Sequence, residues 1–258
     1  MSKISDYYSK NLPTWCGGCG NYGIMSAVKL ALVDLQIESK DLCYCFDIGC
    51  NGNMSDKIKG YRFHGLHGRV LPLATGLKLS QPNLTVLASG GDGGTYSEGI
   101  NHFIHSIRHN YPITFLVHDN HDYGLTTGQC SATSPDGFKM NSSPEGQLGE
   151  VLNPLKLAMS VNATFVAQTS SSNIEQMRKV IKLGIEHQHK NNGFAFINII
   201  QACPTYNKYG MEEFIKGNLF DVDEGNSNGI IHNPNDYQSA IDIVEKYRYP
   251  LGLIYQRM

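Results

Sequence analysis

Residues 84–120 constrain the fold more than any other part of this 258-residue chain. Residues 84–89 form a short apolar, β-rich run that reads as a buried parallel strand. Gly90, Gly91, Gly93 and Gly94 follow at once, and glycines there let the backbone turn sharply and present N–H groups to an anion. A helix is expected from near Tyr96, because Ile100, Phe103, Ile104 and Ile107 recur at helical spacing and line one face. Asn110 and Pro112 end it, and residues 113–117 make the next buried strand. In an open α/β sheet, whatever follows such strands lies at the carboxyl edge, where ligands bind.

The rest of the chain repeats this alternation. Helices are expected at residues 23–35, 67–79 (with Pro72 in the first turns), 173–187 and 236–246. Strands are expected at 42–46, 164–168, 194–200 and 251–255. Residues 136–152 are polar and rich in Gly, Pro and Ser, which predicts a loop, a mobile cover over the site; 219–235 reads as a second irregular stretch. The fold class is therefore α/β: a mostly parallel, doubly wound sheet with helices on both faces. No repeat or domain boundary is evident, so residues 1–258 are expected to be one domain.

Asp92 in the glycine turn and Asn120 beyond the next strand then emerge on one rim, from neighbouring strands. Both offer oxygen, as Mg²⁺ requires, and the carbonyl of Asp122 would be a third protein ligand. The helix N-terminus favours an anion over the glycines. Thiamine-diphosphate enzymes seat their metal and diphosphate in this way. For Gly-Asp-Gly alone, an ordinary capping Asp would be the better reading. The helix, strand and Asn beyond it favour the cofactor.

Seven cysteines without a secretory signal argue against a disulfide framework. Cys16 and Cys19 form a glycine-flanked C-x-x-C. Cys50 follows the strand at 42–46, and Cys203 follows the strand at 194–200. Three readings compete for these thiols: structural zinc, a thioredoxin-like pair and a [4Fe–4S] cluster. One C-x-x-C alone leans to zinc or thiol redox. The rim shared with the cofactor shifts the balance, since an electron carrier has a use there and a zinc does not. Cys43 and Cys45 read as core, and Cys130 as a loop residue.

Net charge is −2, so neither nucleic acid nor an anionic membrane is suggested, and no apolar run reaches membrane-spanning length. With no apolar signal core at its start, the protein is expected to be cytoplasmic. Charged residues are 17% of the chain, a low share that fits a surface covered by partner subunits.

The motifs together resemble the β subunit of 2-oxoacid:ferredoxin oxidoreductases: WCGGCGNYGI at 15–24, DIGCNG at 47–52, HGLHGRVLPLATGLKLSQPNL at 64–84, GGDGGTYSEGINHFIHSIRHN at 90–110, DNHDYGLTTGQ at 119–129, QACPTYN at 201–207 and GLIYQ at 252–256. The resemblance implies the diphosphate-binding type of thiamine-diphosphate domain. Its N-terminal C-x-x-C segment and C-terminal extension would contribute to one [4Fe–4S] cluster on Cys16, Cys19, Cys50 and Cys203. Mg²⁺ would take Asp92, Asn120 and the Asp122 carbonyl. The cofactor would touch Ile48, Gly49, Cys50, Asn51, His67, Gly91, Gly93, Gly94, Gly124 and Leu125. An α subunit that bears the pyrimidine-binding domain would complete the site, in a heterodimer or heterotetramer. Together they would oxidatively decarboxylate a 2-oxoacid with coenzyme A, or run the reverse, and pass electrons to ferredoxin. A non-redox thiamine-diphosphate decarboxylase or synthase subunit is the alternative.

Some positions depart from the family pattern. Asn53 stands where many relatives have Lys, towards the substrate end. Gly94 replaces a second Asp, and Asp122 is acidic where an apolar residue is common. His67 opens the segment nearest the phosphates and is the cofactor-side candidate for catalysis, as Asn53 is on the substrate side. His102, His105 and His109 read as polar packing or contact between subunits, and Lys57, Lys59 and Arg62 as a solvated rim.

Overall fold

The apolar runs become the inner strands of a single sheet. The computed structural model describes residues 2–140, 142–201, 203–206, 211–222 and 232–257. Among them the strands are β1 (Leu42–Phe46), β2 (Tyr61–His64), β3 (Thr85–Gly91), β4 (Thr114–Asp119), β5 (Phe165–Ser170), β6 (Ala195–Ile200), β7 (Leu219–Asp221) and β8 (Tyr249–Gln256). Their order is β2-β1-β3-β4-β6-β5-β8-β7. From β2 to β5 every neighbouring pair is parallel; β8 runs antiparallel to β5, and β7 parallel to β8. The helices are α1 (Asn21–Asp34), α2 (Val70–Ser80), α3 (Ile100–His109), α4 (Pro154–Ser160), α5 (Ile174–Lys190), α6 (Met211–Asn218) and α7 (Tyr237–Lys246).

Strand residues alternate between two cores, as a pleat requires. Tyr44, Phe46, Leu87, Leu116, Ala167 and Ile197 pack with α1 and α5. Cys43, Cys45, Val86, Phe115, Val117 and Phe196 pack with α2, α3, α4 and α7 on the other face. Both faces are covered, which is why β1, β3, β4, β5 and β6 are buried almost throughout.

Several boundaries differ from the sequence reading for identifiable reasons. The helix expected from His67 starts at Val70; Gly68, at φ +68°, turns the chain first, and Pro72 falls in the first turn, where no hydrogen bond is lost. The helix expected from Tyr96 is two pieces: a wide π-type turn, Gly93–Glu98, and then α3. β2 has no counterpart among the expected strands: it is four residues long and exposed at each of them, with no buried apolar run to mark it. α4 follows the loop at 136–152, capped by Asn153 with Pro154 at its start. Of the irregular stretch at 219–235, β7 is ordered strand and 223–231 lies outside the described residues.

At the amino edge of the sheet, Asn110 ends α3 in the left-handed conformation (φ 53°). Its side-chain oxygen accepts from the Phe194 N–H at 2.8 Å and the Thr164 hydroxyl at 2.7 Å. One side chain thus ties α3 to the segments entering β5 and β6. No helix among the described residues is long and apolar enough to cross a membrane.

Candidate active site

The parallel strands end together, and the functional side chains follow those ends. Asp47 to Cys50 follow β1, Asp92 follows β3, Asn120 to Asp122 follow β4, and Gln201 follows β6. The Asn120 N–H donates to Asp92 Oδ1 at 3.3 Å, so the two expected metal ligands face one another. A cleft of about 110 Å³ opens there. Ile48, Gly49, Cys50, Asn51, His67, Gly91, Gly93, Gly94, Gly124 and Leu125 all line it, together with Asp92, Asn120 and Asp122. Asn53 does not. The tight turn at Asn51–Asp56 carries it outward, where its amide donates to Thr14 Oγ1 at 2.6 Å. None of the described residues of the segment 136–152 lines the cleft.

The electrostatics suit a cation. Burial, and then the negative charge of Asp119, push the Asp92 carboxyl up to about 8. Burial also pushes Asp119 up, but His121 at 3.1 Å and hydrogen bonds from Thr133 and Asn198 outweigh it, leaving Asp119 below the usual carboxylate range. Thr133 bridges the two carboxyls, at 2.7 Å to Asp119 and 3.2 Å to Asp92. Asp92 therefore ionises reluctantly unless a divalent cation offsets the adjoining charge.

The phosphate side is held by unusually close packing. A Cβ at Gly94 would lie 2.3 Å from Asp47 Oδ2, and one at Gly93 would lie 2.5 Å from the Tyr123 ring. Asp47 is fully buried and accepts from the Gly68 N–H at 2.9 and 3.1 Å and the Ile48 N–H at 2.8 Å. Burial still raises it to about 6. Tyr123 donates to Glu98 at 3.0 Å, and Glu98 lies 3.7 Å from His67. Asn51 anchors to the Ser89 carbonyl at 3.0 Å, while its own buried Oδ1 has no partner, leaving a polar atom available beside the cleft. The oxygen pair and this cradle fit Mg²⁺ and a diphosphate.

The thiols approach from the same rim. Trp15 donates to the Cys50 carbonyl at 2.7 Å and Tyr22 to the Trp15 carbonyl at 3.1 Å, which pins the C-x-x-C segment against the site. Burial, followed by the charges of Cys19 and Cys203, raises Cys50 to about 12, with Asp122 and Cys16 adding to it. Each of the other three thiols is therefore near enough to act on Cys50. Burial and the Asp122 carboxyl raise Cys203 to about 11. Asp122 is itself buried, and burial raises its carboxyl to about 7. Among the described residues, no three His, Cys, Asp or Glu side chains are grouped tightly enough to grip a single ion. Cys43 and Cys45 are buried in the core, and Cys130 is half-buried in the loop after the site.

Sequence reasoning did not single out Asp47, Asp119, His121, Thr133 or Gln201. Asp47 and Asp119 carried a readable signal, since each directly follows or ends an apolar strand at its carboxyl edge. Thr133 did not, because only the fold brings it to Asp119, and His121 offered no more than its place two positions beyond that residue.

The class defined by this rim is that of the thiamine pyrophosphate enzymes: the family profile described as "Thiamine pyrophosphate enzyme, C-terminal TPP binding domain" matches residues 47–199. A second profile, describing the C-terminal part of the pyruvate ferredoxin oxidoreductase beta subunit, matches residues 203–258. The chain belongs to the β subunits of the 2-oxoacid:ferredoxin oxidoreductases. It is similar to 2-oxoacid:ferredoxin oxidoreductase 2, subunit beta, from Aeropyrum pernix, at 36% identity over 97% of this chain and 82% of that one. It is similar at 36% identity to the 2-oxoglutarate synthase subunit KorB of Methanocaldococcus jannaschii, over 74% of this chain and 70% of that one. Among solved structures, a chain of 2-oxoglutarate:ferredoxin oxidoreductase from Magnetococcus marinus, with 2-oxoglutarate, coenzyme A and succinyl-CoA bound, matches with a TM-score of 0.92 and 34% identity, over 100% of this chain and 86% of that one.

Proposed function

We propose that this chain holds the diphosphate half of a thiamine-diphosphate site and one [4Fe–4S] cluster, and that with an α subunit it oxidatively decarboxylates a 2-oxoacid to its coenzyme A thioester. Ferredoxin takes the electrons, and the assembly, a heterodimer or heterotetramer, works in the cytoplasm. The observation that carries this reading is the position of Cys50: it lines the cleft beside Asp92 and Asn120 and also feels the charge of Cys16, Cys19 and Cys203. The relatives' names and the ligands of the Magnetococcus marinus protein support the substrate class.

When bound, thiamine diphosphate supplies an electron sink for loss of carbon dioxide, and the cluster takes electrons singly. The chain's own residues hold and orient. Asp92, Asn120 and the Asp122 carbonyl would hold Mg²⁺, which neutralises the diphosphate. Ile48 to Asn51, Gly91, Gly93, Gly94 and Gly124 would present main-chain groups to the diphosphate, and Leu125 an apolar surface. Asp47 fixes Gly68, and so the turn that presents His67. The neighbouring α subunit would cover the exposed Ile48 and Leu125 of the cleft.

The test is anaerobic purification with the α subunit, followed by iron and sulfide analysis and viologen reduction with a panel of 2-oxoacids. About four iron and four sulfide per chain are expected, and Cys203→Ser should abolish viologen reduction while thiamine-diphosphate binding persists. Iron-free protein after reconstitution, or an unaffected Cys203→Ser variant, would overturn the redox reading in favour of a non-redox decarboxylase.

A further inference from the structure

A second cavity lies behind the cleft, because the chain leaving β4 sends alternate side chains to two sides. His118, Asn120 and Asp122 line the cleft, while Asp119 and His121 line a cavity of about 230 Å³. Among the described residues the two share no lining residue. Asp119, Asn198 and Gln168, all buried, belong to the rear cavity. The Asn198 amide donates to Asp119 at 3.1 Å and to Gln168 at 2.9 Å, and its oxygen accepts from Tyr96 at 2.7 Å. The Gln168 amide donates to the Pro250 carbonyl at 3.0 Å. These bonds lock a polar floor in place, and preformed cavities with a few fixed polar groups are where small ligands bind.

The charges around this cavity are mostly positive. Lys156 and Arg248 line it, both are exposed residues, and neither pairs with a carboxylate among the described residues. The Arg248 guanidinium lies 5.3 Å from the centre of the Phe214 ring and 5.7 Å from that of Tyr249, so aromatic faces position it. His121 is a third basic side chain, 1% exposed. Its Nε2 lies 3.3 Å from the Tyr249 hydroxyl, and its Nδ1, though 3.1 Å from Asp119, lacks the alignment of a hydrogen bond. A buried nitrogen left in that state is costly, and a ligand oxygen would relieve it. Asp119 is the one carboxylate in the described lining, and it already accepts from Thr133 and Asn198. Three basic side chains against one occupied carboxylate suit an anion of more than one charge.

We propose that the rear cavity binds a small dianion, a short dicarboxylate or a phosphate monoester, through Lys156, Arg248 and His121. Its volume falls below the range of about 300–1,000 Å³ that takes drug-sized ligands, so the ligand is a compact one. Thr133 stands between the two sites, 2.7 Å from Asp119 and 3.2 Å from Asp92. The rear site is thus one side chain away from the metal pair and shares no group with it. The proposal stands without the cofactor reading, because no residue of the cleft takes part.

The test is titration calorimetry on the complex with its α subunit, with succinate and inorganic phosphate as separate probes, for the parent, Lys156→Gln and Arg248→Gln. The parent should bind one dianion per chain, and each substitution should weaken it at least about tenfold. The thermal midpoint and the affinity for thiamine diphosphate should stay at the parent values in both variants, since neither residue lines the cleft. Binding of succinate alone would make the ligand a dicarboxylate, and binding of phosphate alone a phosphate ester; either supports the site. Arg248→Lys keeps the charge and should recover part of the loss seen in Arg248→Gln. A parent that binds neither probe would overturn the proposal. Equal affinity in the parent and both Gln variants would also overturn it, by placing the anion in the cleft. Suberate carries the same two charges on a longer chain and should bind at least about tenfold more weakly than succinate; equal affinity would reduce the site to a basic surface and overturn it as well.

Discussion

Gly94→Ala tests whether the packing of Asp47 against the glycine turn sets the shape of the cradle. The new methyl would lie 2.3 Å from Asp47 Oδ2, against a carbon–oxygen contact of about 3.3 Å. The carboxylate must therefore retreat by about 1 Å, because the methyl sits on main chain that also carries Asp92. That retreat stretches the bonds at 2.8, 2.9 and 3.1 Å from Ile48 and Gly68 towards 4 Å, beyond hydrogen-bonding range. Each charge-assisted bond is worth about 1.5–3 kcal/mol, and partial relaxation leaves an expected destabilisation of about 3 kcal/mol at neutral pH. Asp47 already opposes folding there. Burial raises its folded pKa to about 6 from 3.8. The stability associated with its protonated form is complete below the unfolded value and is lost as pH rises through 6, so weakening its N–H partners adds to that loss. The assay is a double-mutant cycle by urea unfolding at pH 7, using midpoints at unchanged slope. Gly94→Ala should cost about 3 kcal/mol in the parent and under about 1 kcal/mol with Asp47→Ala. Equal costs in the two backgrounds would refute the reasoning.

Asp92→Asn should abolish Mg²⁺-dependent binding of thiamine diphosphate, read by calorimetry, yet leave the metal-free protein folded. Because the folded pKa of Asp92 is raised to about 8, mainly by burial, the parent loses stability as pH rises through 8, and the variant should unfold at higher urea than the parent at pH 9. His187 is buried and its pKa depressed by burial to about 4. Its contribution is therefore present above about 6.5 and is lost as pH falls towards 4, at about 1.4 kcal/mol per pH unit for one proton; His187→Gln should remove that slope from urea midpoints measured between pH 6.5 and 4.5. Gly184→Ala places a Cβ 2.9 Å from Ile197 Cδ1 and 3.2 Å from Thr114 Cγ2 where α5 crosses the sheet. Overpacking of about 1–3 kcal/mol should exceed the helix-propensity gain of about 1 kcal/mol and lower the thermal midpoint.

The inner sheet was legible because burial on both faces leaves an uninterrupted apolar signature. β1 lies at residues 42–46 as read, and β6 differs by one residue at its start. The edges left no such mark. Tyr61–His64 is exposed at every residue and becomes β2 through pairing with β1. The reversal of β8 is equally silent, since strand direction depends on which neighbour a strand meets. Asp92 and Asn120 could be placed on one rim because each directly follows a recognisable strand. Asp47 and Gly94 could not be connected from sequence, as their contact depends on how closely two turns approach. His118 reads locally as the penultimate residue of β4; its meeting with Asn21, 97 positions away, is a product of topology alone.

Asn110 sits at the end of the sheet remote from the cleft, and its staple across α3, β5 and β6 makes that end a foundation. Rigidity and reactivity are thereby assigned to opposite floors of the building. Turns on the reactive floor can lengthen, shorten or trade side chains without loosening the joints below. A lineage that keeps the foundation is free to explore new substrates by remodelling the upper storey, and a replacement of Asn110 would be felt as general looseness instead of as altered chemistry.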